Sequence, residues 1–252
     1  YLITYTHNQN QIELINNTFS HITTGNNNYC GGISSWYQQN QNNAVTIIYD
    51  QCKFYDISNT NKNSPFNQGG AILYGHSTTI CNAALTIRDC EFKRNQCTNG
   101  MGGALGININ QDLTITGCLF EDNVASDKGG AIYIWGKFEK PASNPNAPNA
   151  PTFQMQSITI ENCQFIGNKG SNGPAIYIEE ENMASVTLDV SLCTFRNNGE
   201  DNTKFMFVSY CGQFIFENNN IEYTDHTKTS GGLSANNPST STITGSNFKN
   251  CI

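Results

Sequence analysis

Residues 113–132 read LTITGCLFEDNVASDKGGAI, and residues 85–105 read LTIRDCEFKRNQCTNGMGGAL. The two strings share an alternating Thr-Ile run, a Cys-x-Phe step, an asparagine three residues beyond the phenylalanine, and a Gly-Gly-Ala step into another apolar run. The phrase returns at Ile158-Thr159-Ile160, with Cys163 and Phe165. Self-similarity at a period of about 20–50 residues marks a solenoid, because each unit buries its apolar face only against its neighbours.

Aligned on the phenylalanine, the units fall at Phe19, Phe54, Phe92, Phe120, Phe165, Phe195, Ile221 and Phe248. Their spacings are 35, 38, 28, 45, 30, 26 and 27 residues, so the minimal unit is about 26 and longer spacings are insertions. Two residues before the phenylalanine stand Asn17, Cys52, Cys90, Cys118, Cys163, Cys193, Asn219 and Ser246. The diglycine position reads Gly31-Gly32, Gly69-Gly70, Gly102-Gly103, Gly129-Gly130, then Gly173-Pro174, Lys204-Phe205 and Gly231-Gly232.

Within each unit the apolar period is two, which argues for strands rather than helices. Three short strands per unit cannot close a sheet alone, but coiling lets each strand pair with its counterpart one turn on. The expected fold is all-β: a single-stranded parallel β-helix of about eight turns, one domain over residues 1–252. Inward columns of phenylalanines, of cysteines, and of Ile72, Leu105, Ile132, Ile176 and Phe207 would form its core. Asn95, Asn123, Asn168 and Asn198 would make a ladder at a turn, where asparagine tolerates left-handed backbone angles and bonds to the next amide. Outside, Lys93 over Glu121, Asp56 beside Arg94 and Asp122, and Glu222 beside Lys249 alternate in sign, as in-register stacking favours.

The 252 residues carry a net charge of -7, with 37% hydrophobic and 13% charged residues. Only three arginines occur, Arg88, Arg94 and Arg196, which argues against a phosphate-binding, nucleic-acid surface. No stretch approaches the ~18 apolar residues of a membrane span. Of ten cysteines, five share the repeat column and read as stacked, buried free thiols; Cys30, Cys81, Cys97, Cys211 and Cys251 are left as candidates for bridges. No Cys-x-x-Cys pair occurs and the four histidines are scattered, so no zinc site, other metal or cofactor is expected.

Among 37 asparagines, only Asn16-Asn17-Thr18 satisfies the glycosylation rule, where chance would give roughly six. That depletion fits passage through a glycosylating compartment, with Asn16 as the glycan site. Both ends of the chain break off without a cap, so the chain is expected to be a segment of a longer protein or to be covered at its ends by partners.

Gly-Gly-Ala-Ile at 69–72 and 129–132, Gly-Gly-Ala-Leu at 102–105, and Phe-x-x-Asn at 92, 120, 165 and 195 resemble the repeats of chlamydial polymorphic membrane proteins and of large repeat proteins of protists. The resemblance implies a right-handed β-helix displayed outside the cell, in a non-enzymatic structural or adhesive role. Gly173-Pro174 and Lys204-Phe205 depart from the family pattern, and no membrane barrel follows.

The alternative is a carbohydrate-binding or polysaccharide-degrading β-helix, which would need acids from adjacent turns converging in a groove. Gly75-His76-Ser77 is a weak echo of a hydrolase turn. Glu179-Glu180-Glu181 is the densest acidic run, but consecutive strand residues alternate faces, so it reads as a solvated edge or loose calcium contact and no catalytic residue is assigned. A contact role instead points to residues 137–156, a proline-rich insertion with Pro141, Pro145, Pro148 and Pro151, and to Tyr133, Trp135, Phe138 and Tyr177, an outward aromatic patch suited to protein partners or glycans.

Overall fold

The computed structural model describes residues 2–3, 11–25, 33–35, 46–61, 68–75, 83–108, 111–136, 157–180, 186–199, 203–209, 211–224, 232–236 and 238–251. Every regular element among them is a β-strand, and every strand pairing is parallel. Three sheets hold eight strands each and a fourth holds four; in all four, strands of successive repeats are neighbours. This stacking is compatible with a β-helix.

The Thr-Ile runs form one sheet, including Ala84–Arg88, Leu113–Thr116, Ser157–Glu161 and Thr187–Ser191. Branched side chains suit the pleat, and the alternating burial of these strands follows their alternating residues. The Cys-x-Phe steps form a second sheet with Phe54, Phe92, Phe120 and Phe165 in exact-number register, and the runs after Gly-Gly-Ala form a third. The fourth consists of two-residue strands, Thr23–Thr24, Ser58–Asn59, Gln96–Cys97 and Val124–Ala125. The expected three strands per unit missed it, since two residues have no period to read.

Between the first two sheets the chain turns on one residue of left-handed backbone. Asn16, Gln51, Asp89, Gly117, Asn162, Leu192, Asn218 and Gly245, each just before the cysteine position, have φ between 52° and 65°. A second corner follows the phenylalanine, at His21, Asp56, Arg94, Asp122, Gly167, Asn197 and Asn250. The ladder asparagines themselves are not the left-handed residues; that expectation is corrected by one position. Leu192 is the misfit, a branched residue at φ 56° and 53% exposed. Leu192→Asn is expected to stabilise the fold by about 1 kcal/mol, because Asn tolerates this backbone better than Leu; a shifted urea midpoint at constant slope checks it.

The interior is columnar. Phenylalanine rings stack at centroid spacings of 4.7, 4.9, 4.9 and 5.0 Å from Phe54 to Phe195, the spacing of neighbouring strands. Cys52, Cys90, Cys118, Cys163 and Cys193 are buried and free, and burial pushes the Cys118 and Cys163 thiols well above the usual range. Cys211 and Cys251 are free as well, against their reading as bridge candidates; Cys97 is buried, its sulfur 3.9 Å from Asn59 Nδ2, and Cys30 and Cys81 lie outside the described residues.

The asparagine ladder is fully bonded. Asn123 Nδ2 donates to Phe92 O (2.9 Å) and to Asn168 Oδ1 (3.0 Å), while its own Oδ1 accepts from the Asn95 backbone N (3.1 Å) and from Asn95 Nδ2 (3.0 Å). Asn168 repeats the arrangement, Asn198 ends it by accepting from Asn168 N and Nδ2 and donating to Phe165 O, and all four asparagines are buried.

One inward column needs correction. Ile176 pairs with Met206, and Phe207 instead pairs with Tyr177 on the outer face. Phe205 takes the alanine position of the repeat, since Ala175 N donates to its carbonyl (2.9 Å), so the diglycine slot falls one residue before Lys204-Phe205. The following Gly231-Gly232-Leu233 has no residue at the alanine position. Lys204 therefore pairs with Gly232 and Met206 with Leu233, with a bulge at Phe205, whose ring packs inward 4.8 Å from that of Phe195.

Candidate interaction surface

Three features stand on the outside of this columnar core: an aromatic column, a set of ion pairs, and an apolar hollow at the last coil. The aromatic column lies on the outer face of the Gly-Gly-Ala sheet. In-register pairing aligns Tyr133 with Tyr177 and Phe207, at ring spacings of 6.0 and 4.8 Å, and Trp135 stacks on Tyr133 at 5.2 Å.

Alternation correctly places these rings opposite Ile132, Ile134, Ile176 and Ile178, but they are not an open patch. Tyr133 is 4% exposed and Tyr177 6%. Lys128, just before the diglycine, lays its ammonium 4.9 Å over the Tyr177 ring and binds both Glu179 oxygens at 2.8 and 2.9 Å. The Tyr133 hydroxyl donates to Glu179 Oε2 at 2.9 Å. Burial, reinforced by Glu179, pushes the Tyr133 hydroxyl far up; burial pulls Lys128 down, but Glu179 outweighs it and leaves the ammonium raised. Glu179 is thus a partner of Lys128 and Tyr133 rather than a solvated edge. Trp135 and Phe207 stay half-exposed. Phe138, Pro141, Pro145, Pro148 and Pro151 lie outside the described residues.

The ion pairs follow the expected alternation of sign. Arg94 grips Asp56 with two bonds, at 2.7 and 2.9 Å; Lys93 lies 3.1 Å from Glu91 and 3.5 Å from Glu121; Lys249 lies 2.7 Å from Glu222. Arg88 adds a 2.8 Å bond to Asp50. The Tyr55 hydroxyl donates to Glu91 at 2.5 Å, and burial with this bond pushes Tyr55 up to about 12. These carboxylates are each held by a cation of a neighbouring coil, Glu91 by Lys53 at 3.7 Å. Asn16 is exposed at a left-handed corner, where its side chain is open to solvent.

The third feature escaped the sequence reading. Phe214, Leu233, Ala235, Pro238, Ile243 and Phe248 line an open hollow of about 550 Å³ at the last coil. Phe120 and Phe165 are fully covered by the rings on either side, but Phe248 is 44% exposed and Ile243 53%. The chain matches no protein-family model, no curated protein and no solved structure.

Proposed function

We propose that this chain is a non-enzymatic structural or adhesive segment, a right-handed β-helix working outside the cell or on its surface, which assembles with other proteins. The observation that carries the reading is the flank of the stacked sheets, where charged side chains of successive coils are engaged with each other, Arg94 with Asp56 and Lys128 with Glu179 among them.

In light scattering over a concentration series, the 252-residue chain is expected to associate reversibly. A monodisperse monomer at every concentration would remove the support.

A carbohydrate-binding reading is favoured by one observation only, the half-exposed Trp135 stacked on Tyr133 beside Glu179. Saturable quenching of tryptophan fluorescence by oligosaccharides, lost in Trp135→Ala, would select it over assembly.

A further inference from the structure

The thiols of Cys52, Cys90, Cys118, Cys163 and Cys193 form one unbroken buried column. Backbone bonds fix their stacking: Glu91 N to Cys52 O, Leu119 N to Cys90 O, Gln164 N to Cys118 O and Thr194 N to Cys163 O, all 2.8–2.9 Å. The five side chains share one pose. Each sulfur lies 3.2–3.4 Å from the carbonyl two residues before it and 3.2–3.6 Å from a carbonyl of the preceding coil. Because pose and register repeat, the step between successive sulfurs is that of the phenylalanine rings two residues along the same strands, 4.7–5.0 Å.

We propose that this column is a binding site for soft, linearly two-coordinate metal ions of the Cu(I) and Ag(I) class, held between successive sulfurs. Thiolates select such ions, and a linear S–metal–S unit built from bonds of about 2.3 Å spans about 4.6 Å, close to the coil step. The fold therefore supplies the span without moving a strand.

The same geometry selects against zinc. A tetrahedral ion needs four donors, whereas the column offers two at any point, and among the described residues no group of three or more His, Cys, Asp or Glu side chains is placed to hold an ion. Charge balance also suits a monovalent ion in an apolar interior. One thiol loses its proton to solvent and the next stays protonated, giving a neutral RS–M–S(H)R unit in which two metal–sulfur bonds form, one S–H bond breaks, and nothing is oxidised or reduced. What each sulfur gives up is a weak S–H contact to a carbonyl that keeps its backbone partner.

The test is a titration of the folded chain with Ag(I) nitrate, with stoichiometry read by native mass spectrometry and geometry by X-ray absorption. The wild type should bind two more ions than the Cys90→Ser/Cys163→Ser variant, which leaves no two column thiols in adjacent coils, with two sulfurs in line around each silver, and proton release should track silver uptake. Cys211→Ala, which removes a thiol outside the column, should leave the column count unchanged, and Zn(II) should leave the column empty. Cys90→Ser, which isolates Cys52 and leaves three thiols in a row, carries the same comparison with a loss of one ion should the double variant fail to fold. Equal silver counts in wild type and folded column variants, or three or more neighbours around each silver, would overturn the proposal.

Discussion

Alanine in place of Gly103 is expected to destabilise the protein by at least about 4 kcal/mol, or to prevent folding. A β-carbon at Gly103 would lie 2.1 Å from Gly130 O and 2.6 Å from the carbonyl carbon of Val124. Both are backbone atoms of the following coil, so neither can swing aside. The Gly103 amide is in turn bonded to Gly129 O at 3.1 Å, and a β-carbon at Gly70 would lie 2.0 Å from Gly103 O, so the close approach runs through successive coils. Gly102 is required for a different reason: at φ 70° it occupies backbone space that side chains rarely adopt. Gly232 provides the control within the same column. Its nearest neighbour would be the flexible Lys204 side chain at 3.4 Å, so Gly232→Ala should cost less than about 1 kcal/mol. Thermal and urea unfolding of the two variants side by side checks the contrast, and equal losses would show that the coils do not approach at the diglycine step.

Asn123→Ala is expected to cost about 3–5 kcal/mol, measured as a drop in the urea midpoint. The substitution removes four hydrogen bonds of a fully buried side chain. It also takes the acceptor from the buried Asn95 amide N–H, while Asn168 Oδ1 keeps the Asn123 backbone N–H and Asn95 Nδ2 keeps the Phe54 carbonyl, and the penalty for an unpaired buried group exceeds the net worth of a bond. Asn198 should be more tolerant on one side only, because the Tyr223 hydroxyl closes its end of the ladder by donating to Asn198 O at 2.7 Å. A loss below about 1 kcal/mol for Asn123→Ala would mean that water enters the column and takes over the bonds. A cycle with Asn95→Ala separates the direct side-chain pair from the stranded backbone groups.

The left-handed corners show how legible local structure was. The residue before each cysteine position is mostly Asn, Asp or Gly, the types that accept positive φ, so this corner was open to reading. Leu192 in this corner and Arg94 in the corner after the phenylalanine lack the matching chemistry, and there the surrounding pairing alone imposes the angle. Phe207 shows the opposite limit. Its neighbours Met206 and Val208 are equally apolar, so alternation of polarity could not say which of the three faced inward; the hydrogen bond from Ala175 to Phe205 decides it.

What the string of residues determined by itself was everything that repeats: strands of period two, parallel pairing at one-unit offset, and the phenylalanine, cysteine and asparagine columns. A repeat places like residues on top of one another, so their neighbours are known as soon as the unit is. What only the tertiary structure decided was what does not repeat: the burial of Tyr133 and Tyr177 beneath Lys128, the capture of Glu179, the free state of Cys211 and Cys251, and the open hollow around Phe248. Strand alternation reports which side of its own sheet a residue faces, but whether that side is then covered depends on segments that arrive from elsewhere in the chain, at distances no local pattern encodes.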